Sequence, residues 1–312
     1  MSIEPPAFGE ARRPFGPRDP GDAWVIAPSG ERYWGAFGAA GLLALDGGRG
    51  VLLQHRVSWS HYGDTWALPG GARHEGESAR DGALREAAEE AGVPHASVRP
   101  RLLSVLELGY WSYTTVVADV TRPFEPTISD PESRELAWTA PEAVADKPLH
   151  PGFASSWAVL QPLLEMRPAV VVDAANVVGS VPDGWWHDRP GAARRLIARI
   201  GRLAADGIPA ASLDLPEHTW FPEWVVVVEG QARAAGDEAE GVEVVRAAAS
   251  GDDAIVTETE RLIAGGRTVT VVTSDRELAR RVTDASTRHG SRSARAGVAS
   301  VRGTRWLLDQ LP

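Results

Sequence analysis

Two patterns of apolar and polar positions divide the chain. Over residues 24–120, short β-like runs alternate with turns, and one helical segment interrupts them. From Ala169 onward, continuous apolar strands alternate with amphipathic helices, as expected for a mainly parallel α/β sheet. The predicted strands are 41–45, 51–54, 102–107, 114–120, 169–172, 224–228, 242–246 and 268–273, and the predicted helices are 78–91, 153–166, 192–205, 252–263 and 276–283.

The change of pattern predicts two domains. Pro168 interrupts the chain between the two patterns, and prolines before residue 21 prevent a continuous helix or strand there. We therefore expect a flexible tail over 1–21, one domain over 22–167 and a second over 168–312. A turn at Asp46-Gly47-Gly48 is expected to join the first two strands as a hairpin.

Composition narrows the chemistry. The 312 residues are 43% hydrophobic and 24% charged, which is normal for a globular chain. Cysteine is absent, which excludes disulfides, cysteine-ligated metals and a thiol nucleophile. No apolar run approaches the ~20 residues of a membrane span, so a cytoplasmic protein is expected. The net charge of −10 argues against general nucleic-acid binding, although an arginine-rich block follows an acidic one after residue 266.

The helix predicted over 78–91 gathers carboxylates. At ~100° per residue, Glu86, Glu89 and Glu90 share one face, with Ala87 and Ala91 opposite, so we expect the acids to point outward. Three neighbouring carboxylates repel one another, and a divalent cation such as Mg²⁺ or Mn²⁺ would relieve that repulsion. The alternative is a solvated acidic face.

The residues around these acids resemble a known motif. Gly71 begins the spacing G-x5-E-x7-R-E-x-x-E-E-x-G, and 66–71 (WALPGG) precedes it. This spacing resembles the Nudix box, although Ala87 stands where the family prefers a larger apolar residue. The resemblance covers 22–165. It implies an α/β/α sandwich with a mixed sheet and Mg²⁺-dependent hydrolysis of a nucleoside diphosphate linked to another group.

The resemblance also implies roles for individual residues. Glu86, Glu89, Glu90 and Gly71 would bind metal, and Arg85 and Glu77 would brace the site. Glu132, which with Glu135 resembles the downstream acidic pair of the family, is predicted as an accessory ligand or base, with loop charge as the alternative.

Substrate contacts are less constrained. Trp59, in the loop 58–62, could stack on a base or pack locally. His55 and Arg56, after the second strand, could meet phosphates or be solvated. A triphosphate, a nucleotide sugar and an RNA 5′ end all remain open as substrates.

Acids also follow the strands of the second domain. Asp173, Glu229 and Asp275 end three apolar strands, and Asp252 and Asp253 begin a helix. Each could simply cap a helix or turn. Because ligands gather at the carboxyl ends of parallel strands, a shared Mg²⁺ or Mn²⁺ site is the alternative.

This half resembles the NYN branch of the PIN-like nucleases, close to YacP-type domains. The resemblance rests on Asp173, Asn176, the segments 251–253 and 271–276, and their order. It implies metal-dependent cleavage of RNA, with Asp173, Asp252, Asp253 and Asp275 binding metal, Asn176 and Ser274 binding substrate, and the segment 276–305 contacting phosphates. Glu229 stands where the family has aspartate, which leaves its role open.

Three functional classes therefore compete. The first is a hydrolase of nucleotide-type substrates fused to a ribonuclease. The second keeps the hydrolase but makes the C-terminal half a module that binds RNA or protein. The third is a ligand-sensing regulator, and the intact set of glutamates argues against it. Isomerisation, another activity of the family that the chain resembles, is disfavoured because the chain has no cysteine for such a site.

Overall fold

The computed structural model describes residues 1–6, 21–236, 239–290 and 299–312. It divides into two compact units, Met1–Leu164 and Glu165–Pro312. In the residues described, no helix is long and apolar enough to cross a membrane.

The first unit is built mainly from strands. A small antiparallel sheet contains β1 (Ser2–Glu4), β2 (Trp24–Ile26) and β3 (Arg32–Trp34). The remaining strands are β4 (Ala39–Asp46), β5 (Gly50–Arg56), β6 (Trp66–Ala67), β7 (Gly70–Ala72), β8 (Val98–Glu107), β9 (Ser112–Val120) and β10 (Ser133–Thr139). The helices are α1 (Ala79–Ala91) and α2 (Pro151–Leu160), with short 3-10 segments at His95–Ser97, Pro141–Asp146 and Gln161–Glu165.

The main sheet of this unit is mixed. Its strands run in the order β10-β5-β4-β9-β8, with β6 paired to β5 and β7 to β4. The β4–β9 pair is parallel and the other pairs are antiparallel. Asp46 pairs with Gly50 across the predicted hairpin, which is confirmed.

Helix α1 packs on this sheet through small side chains. Ser78 caps its start by accepting a hydrogen bond from the Asp81 N–H (3.1 Å), and Gly92 ends it in the left-handed conformation (φ 64°). Ala83, Ala87 and Ala91 are fully buried against β4, β5 and β9. Because alanine has no long side chain, the helix lies close to the sheet.

The second unit is a three-layer α/β structure. Five parallel strands run in the order β15-β14-β11-β16-β17, which confirms the expected parallel sheet. They are β11 (Pro168–Asp173), β14 (Glu223–Val228), β15 (Val242–Arg246), β16 (Thr268–Val272) and β17 (Ser300–Arg302), and a short antiparallel pair contains β12 (Ile208–Pro209) and β13 (Thr219–Trp220). The helices are α3 (Ala174–Gly179), α4 (Arg189–Asp206), α5 (Gly251–Ala264), α6 (Arg276–Gly290) and α7 (Thr304–Gln310), with 3-10 segments at Trp185–His187, Ala210–Leu213 and Gly230–Ala234.

Both faces of the parallel sheet are covered. Val170 and Val172 pack with α3, α4 and α7 on one face, whereas Val171 packs with α5 and α6 on the other. Alternate strand residues therefore enter different cores, which is why these strands are continuous apolar runs in the sequence.

Several predicted elements differ in extent. Ser2–Glu4 pairs with β2 rather than belonging to a loose tail, and residues 7–20 of that predicted tail lie outside the described residues. Helix α2 ends at Leu160 and continues as a 3-10 segment, and α6 extends beyond residue 283. The short elements α3, β17 and α7 were not predicted, since none is long enough to show a period.

Candidate active site

A cleft of about 1110 Å³ opens in the first unit. Glu86, Glu89 and Glu90 of α1 line one part of it, together with Gly70 and Gly71 of β7. Aromatic side chains from β2, β3, β9 and the loop after β5 line another part. The cleft therefore combines an acidic surface with aromatic ring faces, as expected of a small-molecule binding site.

The orientation of α1 corrects one expectation. Glu86 and Glu90 are only 3% and 2% exposed, and the side chain of Glu89 is 45% exposed. The acids do not all point outward, because two of them turn towards the backbone of β7.

Glycines make that approach possible. A Cβ on Gly71 would lie 2.8 Å from the carboxyl carbon of Glu86, closer than real contacts allow. The N–H of Gly70 donates to Glu90 Oε2 at 2.9 Å. The two buried carboxylates thus lie against backbone where any larger residue would collide.

Arg85 organises the acidic group. Its guanidinium donates to both carboxylate oxygens of Glu77 (2.9 Å each), to Glu86 Oε1 (2.7 Å) and to the Ala72 carbonyl (3.0 Å). A longer contact of 3.5 Å reaches Glu89. The predicted bracing role of Arg85 and Glu77 matches this geometry.

The same contacts shift ionisation. The hydrogen bonds from Arg85 lower the pKa of Glu77 to about 2, against an opposing effect of burial, and the His74 N–H adds to the lowering. Burial works against the charged form of Arg85, but Glu77 and Glu86 raise its pKa above the ordinary value. Both groups are therefore charged throughout the physiological pH range.

The donor set at the cleft suits a hard divalent cation. Carboxylate oxygens from Glu86, Glu89 and Glu90 are ligands that Mg²⁺ and Mn²⁺ prefer. Across the described ranges, no three His, Asp or Glu side chains already converge as a ligand cluster. Arg85 donates to one carboxylate oxygen of Glu86, and the Gly70 N–H donates to one of Glu90, so these hydrogen bonds help to fix the orientation in which the two carboxylates would meet a cation.

Of the other residues predicted to contact metal or substrate in this unit, some line the cleft and one does not. Glu132 lines the cleft, and its carboxylate is 3.6 Å from the guanidinium of Arg56, which also lines it. Trp59 lines the cleft and is 47% exposed. His55 does not reach the cleft lining and instead stacks on Trp66, with ring centroids 4.7 Å apart.

The aromatic part of the cleft is larger than predicted. Trp34 contacts Trp24, Trp24 contacts His61, His61 contacts Tyr62, and Tyr62 contacts His150, with centroids 4.3–5.1 Å apart. A second group contains Tyr33, Trp111 and Tyr113. Only the loop 58–62 was singled out in the sequence. A signal did exist, since adjacent aromatic residues occur at 33–34 and 110–111 beside glycines.

Two cleft residues have displaced pKa values. Burial, with the nearby charges of Arg56 and His61, lowers the pKa of His150 to about 4. Its Nδ1 accepts a hydrogen bond from the Gly152 N–H at 3.1 Å, as a neutral imidazole can. Burial and the charge of Glu90 raise the pKa of Tyr113 above its ordinary value.

In the second unit, acids gather at the carboxyl edge of the parallel sheet. Asp173 is buried and caps α3, accepting from the Asn176 N–H (3.0 Å) and the Thr273 hydroxyl (2.9 Å). Asn176 in turn accepts from the Ser274 N–H at 2.8 Å. Burial raises the pKa of Asp173, and the charges of Asp252 and Glu229 add to this effect.

The other acids at this edge of the sheet differ in their partners. Burial and the charges of Asp275 and Glu229 raise the pKa of Asp252. Asp275 caps α6 through the N–H groups of Glu277 and Leu278, at 2.7 and 3.0 Å. Asp253 pairs with Arg281.

Capping and clustering therefore occur together at this edge. Glu229 belongs to the group, since its carboxylate accepts from the Gly251 N–H at 2.8 Å. Of the predicted phosphate-contacting segment 276–305, residues 291–298 lie outside the described residues.

Comparisons with known proteins concern the first unit. A family model described as the NUDIX domain matches residues 36–158. A Mycobacterium tuberculosis protein named "Putative 8-oxo-dGTP diphosphatase 3" is 47% identical over 167 residues, covering 50% of this chain and 74% of the relative. A Bifidobacterium longum protein named "Nucleoside triphosphate pyrophosphatase/Nudix hydrolase fusion protein" is 38% identical over 147 residues, covering 44% of this chain and 30% of the relative. A crystal structure of the M. smegmatis Nudix hydrolase RenU is 46% identical, with a TM-score of 0.41, covering 46% of this chain and 95% of that one.

Proposed function

The chain belongs to the Nudix family, and we propose that its first unit hydrolyses a pyrophosphate bond in a nucleoside diphosphate-linked substrate. Nudix enzymes generally use divalent metal ions, and we propose Mg²⁺ or Mn²⁺ for this chain. The observation that carries the proposal is the group of Glu86, Glu89 and Glu90 lining the cleft, with Arg85 bonded to Glu77, Glu86 and Glu89.

Individual residues of the cleft are proposed to have separate roles in this reaction. Glu86, Glu89 and Glu90 would hold the metal ion, which when bound polarises a phosphoryl oxygen and lowers the pKa of water. Arg85 fixes the positions of Glu77 and Glu86 through its hydrogen bonds. Glu132 is proposed to accept the proton of the attacking water, and Arg56, 3.6 Å away, to contact a phosphate.

The substrate is proposed to carry a purine base. The ring faces that line the cleft, Trp59 among them, offer stacking surfaces for a base. The name of the M. tuberculosis relative makes 8-oxo-dGTP the first candidate. Other nucleoside triphosphates, nucleotide sugars and triphosphorylated RNA ends are the alternatives that a panel must include.

The test is hydrolysis by the full chain across that panel, with Mg²⁺ or Mn²⁺. Glu89→Gln should lower kcat by about 10²-fold or more on the best substrate, because it weakens the hold on a metal ion whose charge stabilisation is worth several kcal/mol, at about 1.36 kcal/mol per tenfold in rate. Glu125→Gln is the matched control, because that exposed carboxylate also pairs with an arginine, Arg49, and does not line the cleft. Unchanged hydrolysis by Glu89→Gln would refute the proposal.

A second candidate function concerns the second unit. We propose metal-dependent RNA cleavage at the sheet edge, supported by the buried Asp173 and the acids that raise its pKa. In Asp173→Asn the amide oxygen can still accept from the Asn176 N–H, and the amide NH2 can donate to the Thr273 hydroxyl oxygen, so the variant should fold and lose cleavage of single-stranded RNA. If the wild-type chain binds RNA without cutting it, this unit is a binding module instead.

A further inference from the structure

Two adjacent tryptophans, one half-buried and one exposed, lie between α3 and α4 of the second unit. Trp185, Trp186 and His187 form a short 3-10 segment, and Trp186 is 53% exposed. We propose that this segment, with the arginines that follow it, binds single-stranded nucleic acid by base stacking. The inference shares its partner class with the proposed function of this unit but does not require cleavage.

The segment is held in place by its own hydrogen bonds. The Trp185 N–H donates to Asp183 Oδ1 at 3.1 Å, and the His187 N–H donates to the Gly184 carbonyl at 3.0 Å. Asp188 then caps α4 by accepting from the Gly191 N–H at 2.9 Å. The rings are therefore presented from a defined turn joined directly to a helix, so little order has to be gained on binding.

The exposed ring of Trp186 and the half-buried ring of Trp185 offer faces to a base. Trp185 and Trp186 have centroids 6.0 Å apart and planes at 81°, so they do not cover each other. His187 contacts Trp186 at a tilt of 47°. Stacking on such rings tolerates any base, because every base has a π face.

Cations accompany the rings. The guanidinium of Arg189 lies 5.3 Å from the Trp185 ring centroid. Arg194 and Arg195, on the first turns of α4, are exposed, and Arg195 is 3.9 Å from Asp183. A guanidinium beside an aromatic ring suits a polyanion that carries bases, because the cation can contact phosphate while the ring stacks on a base.

The segment also lies close to the acidic edge. Trp185 packs at the end of α3, 3.9 Å from where a Cβ of Gly179 would be, and Asp173 caps the start of that helix. The six residues of α3 span about 9 Å along the helix axis. Trp185 therefore lies about one short helix length from Asp173, and a bound strand could extend from the rings towards the acidic edge.

The test is fluorescence anisotropy of a labelled single-stranded oligonucleotide of about 16 nucleotides, with the full chain and EDTA present so that no metal-dependent cleavage occurs. Trp186→Ala should weaken binding about 5-fold or more, and Trp186→Phe should retain most of it. Arg195→Ala should instead reduce the slope of log affinity against log salt concentration by about 0.7, whereas Trp186→Ala should leave that slope unchanged.

Matched controls lie on the first unit. Val159→Ala removes another exposed apolar side chain, and Arg134→Ala removes an arginine of similar exposure that also pairs with an aspartate. Neither should alter binding. Equal affinity of wild type and Trp186→Ala, or no binding by the wild type, would overturn the inference. So would a change of oligomeric state in Trp186→Ala with unchanged affinity, which would identify a contact between copies. Because no cleavage is measured, failure of the ribonuclease proposal alone leaves this result readable.

Discussion

Adding one methyl group at Gly71 should impair catalysis without unfolding the first unit. In Gly71→Ala the new Cβ would lie 2.8 Å from the Glu86 carboxyl carbon and 2.9 Å from both its oxygens. Glu86 is buried and bonded to Arg85 at 2.7 Å, so it cannot rotate away freely. To restore ordinary contact, its carboxylate must retreat by about half an ångström.

The size of the effect follows from that displacement. A misplacement of about 1 Å can cost about 10²-fold in rate, so half of it should lower kcat by about tenfold. Overpacking of a buried site costs about 1–3 kcal/mol. For a unit of this size, the melting temperature should then fall by about 2–4 °C per kcal/mol.

Steady-state hydrolysis of the best panel substrate, with thermal unfolding of the same preparations, measures both effects. Gly47→Ala is the control, because a Cβ there meets open space in the β4–β5 turn. Wild-type kcat in Gly71→Ala would refute the role given to Glu86. If the two residues act together, Gly71→Ala should have no further effect on kcat in a Glu86→Gln background.

Three further outcomes are expected. The pKa of Glu77 is lowered from 4.5 to about 2 in the folded chain, so its charge adds up to about 3 kcal/mol to the free energy of unfolding. This contribution is complete above pH 4.5 and is lost as pH falls through 2. In Glu77→Gln, the free energy of unfolding should therefore lack this dependence on acid pH. Because the pKa of His150 is lowered from 6.5 to about 4, stability should fall as pH drops from 6.5 to 4; His150→Asn, which can still cap α2, should flatten that part of a denaturation series. Trp59→Ala should raise KM about 5-fold or more with little change in kcat, since a stacked base binds equally in ground and transition states; a fall in kcat alone would contradict a stacking role.

The sequence predicted strands and helices well where a single hydrophobic periodicity ran through a segment. The strands β4, β5, β14 and β15 and the helix α1 all follow from runs of apolar residues ended by glycine, proline or a polar turn. The helix of acids was assigned to the correct segment, but its orientation was wrong for Glu86 and Glu90. Polarity alone places carboxylates in water, and only the structure reveals the partners that allow their burial.

Those partners come from distant positions. The Gly70 N–H that binds Glu90 belongs to a strand twenty residues earlier, and Gly71, whose missing Cβ leaves room for the Glu86 carboxylate, belongs to the same strand. The aromatic cleft joins β2 and β3 to the loop after β5 and to His150 at the start of α2. Local periodicity carries no information about such contacts, because they depend on which strands pair.

The two acidic sites stabilise their carboxylates differently, and a divalent cation should therefore affect them differently. In the first unit, Arg85 already compensates Glu77 and Glu86, so an incoming cation competes with a guanidinium. At the sheet edge, Arg281 pairs with Asp253 and lies 3.9 Å from Asp252. The hydrogen bonds that Asp173 accepts, by contrast, come from neutral groups, and burial and the charges of Asp252 and Glu229 raise its pKa. A cation there would relieve repulsion directly, and ligand at about 100 times its Kd adds about 2.7 kcal/mol to stability. Mg²⁺ should accordingly raise the unfolding temperature of the second unit more than that of the first. Asp252→Asn should reduce that gain, because it removes one of the charges that the cation would otherwise offset.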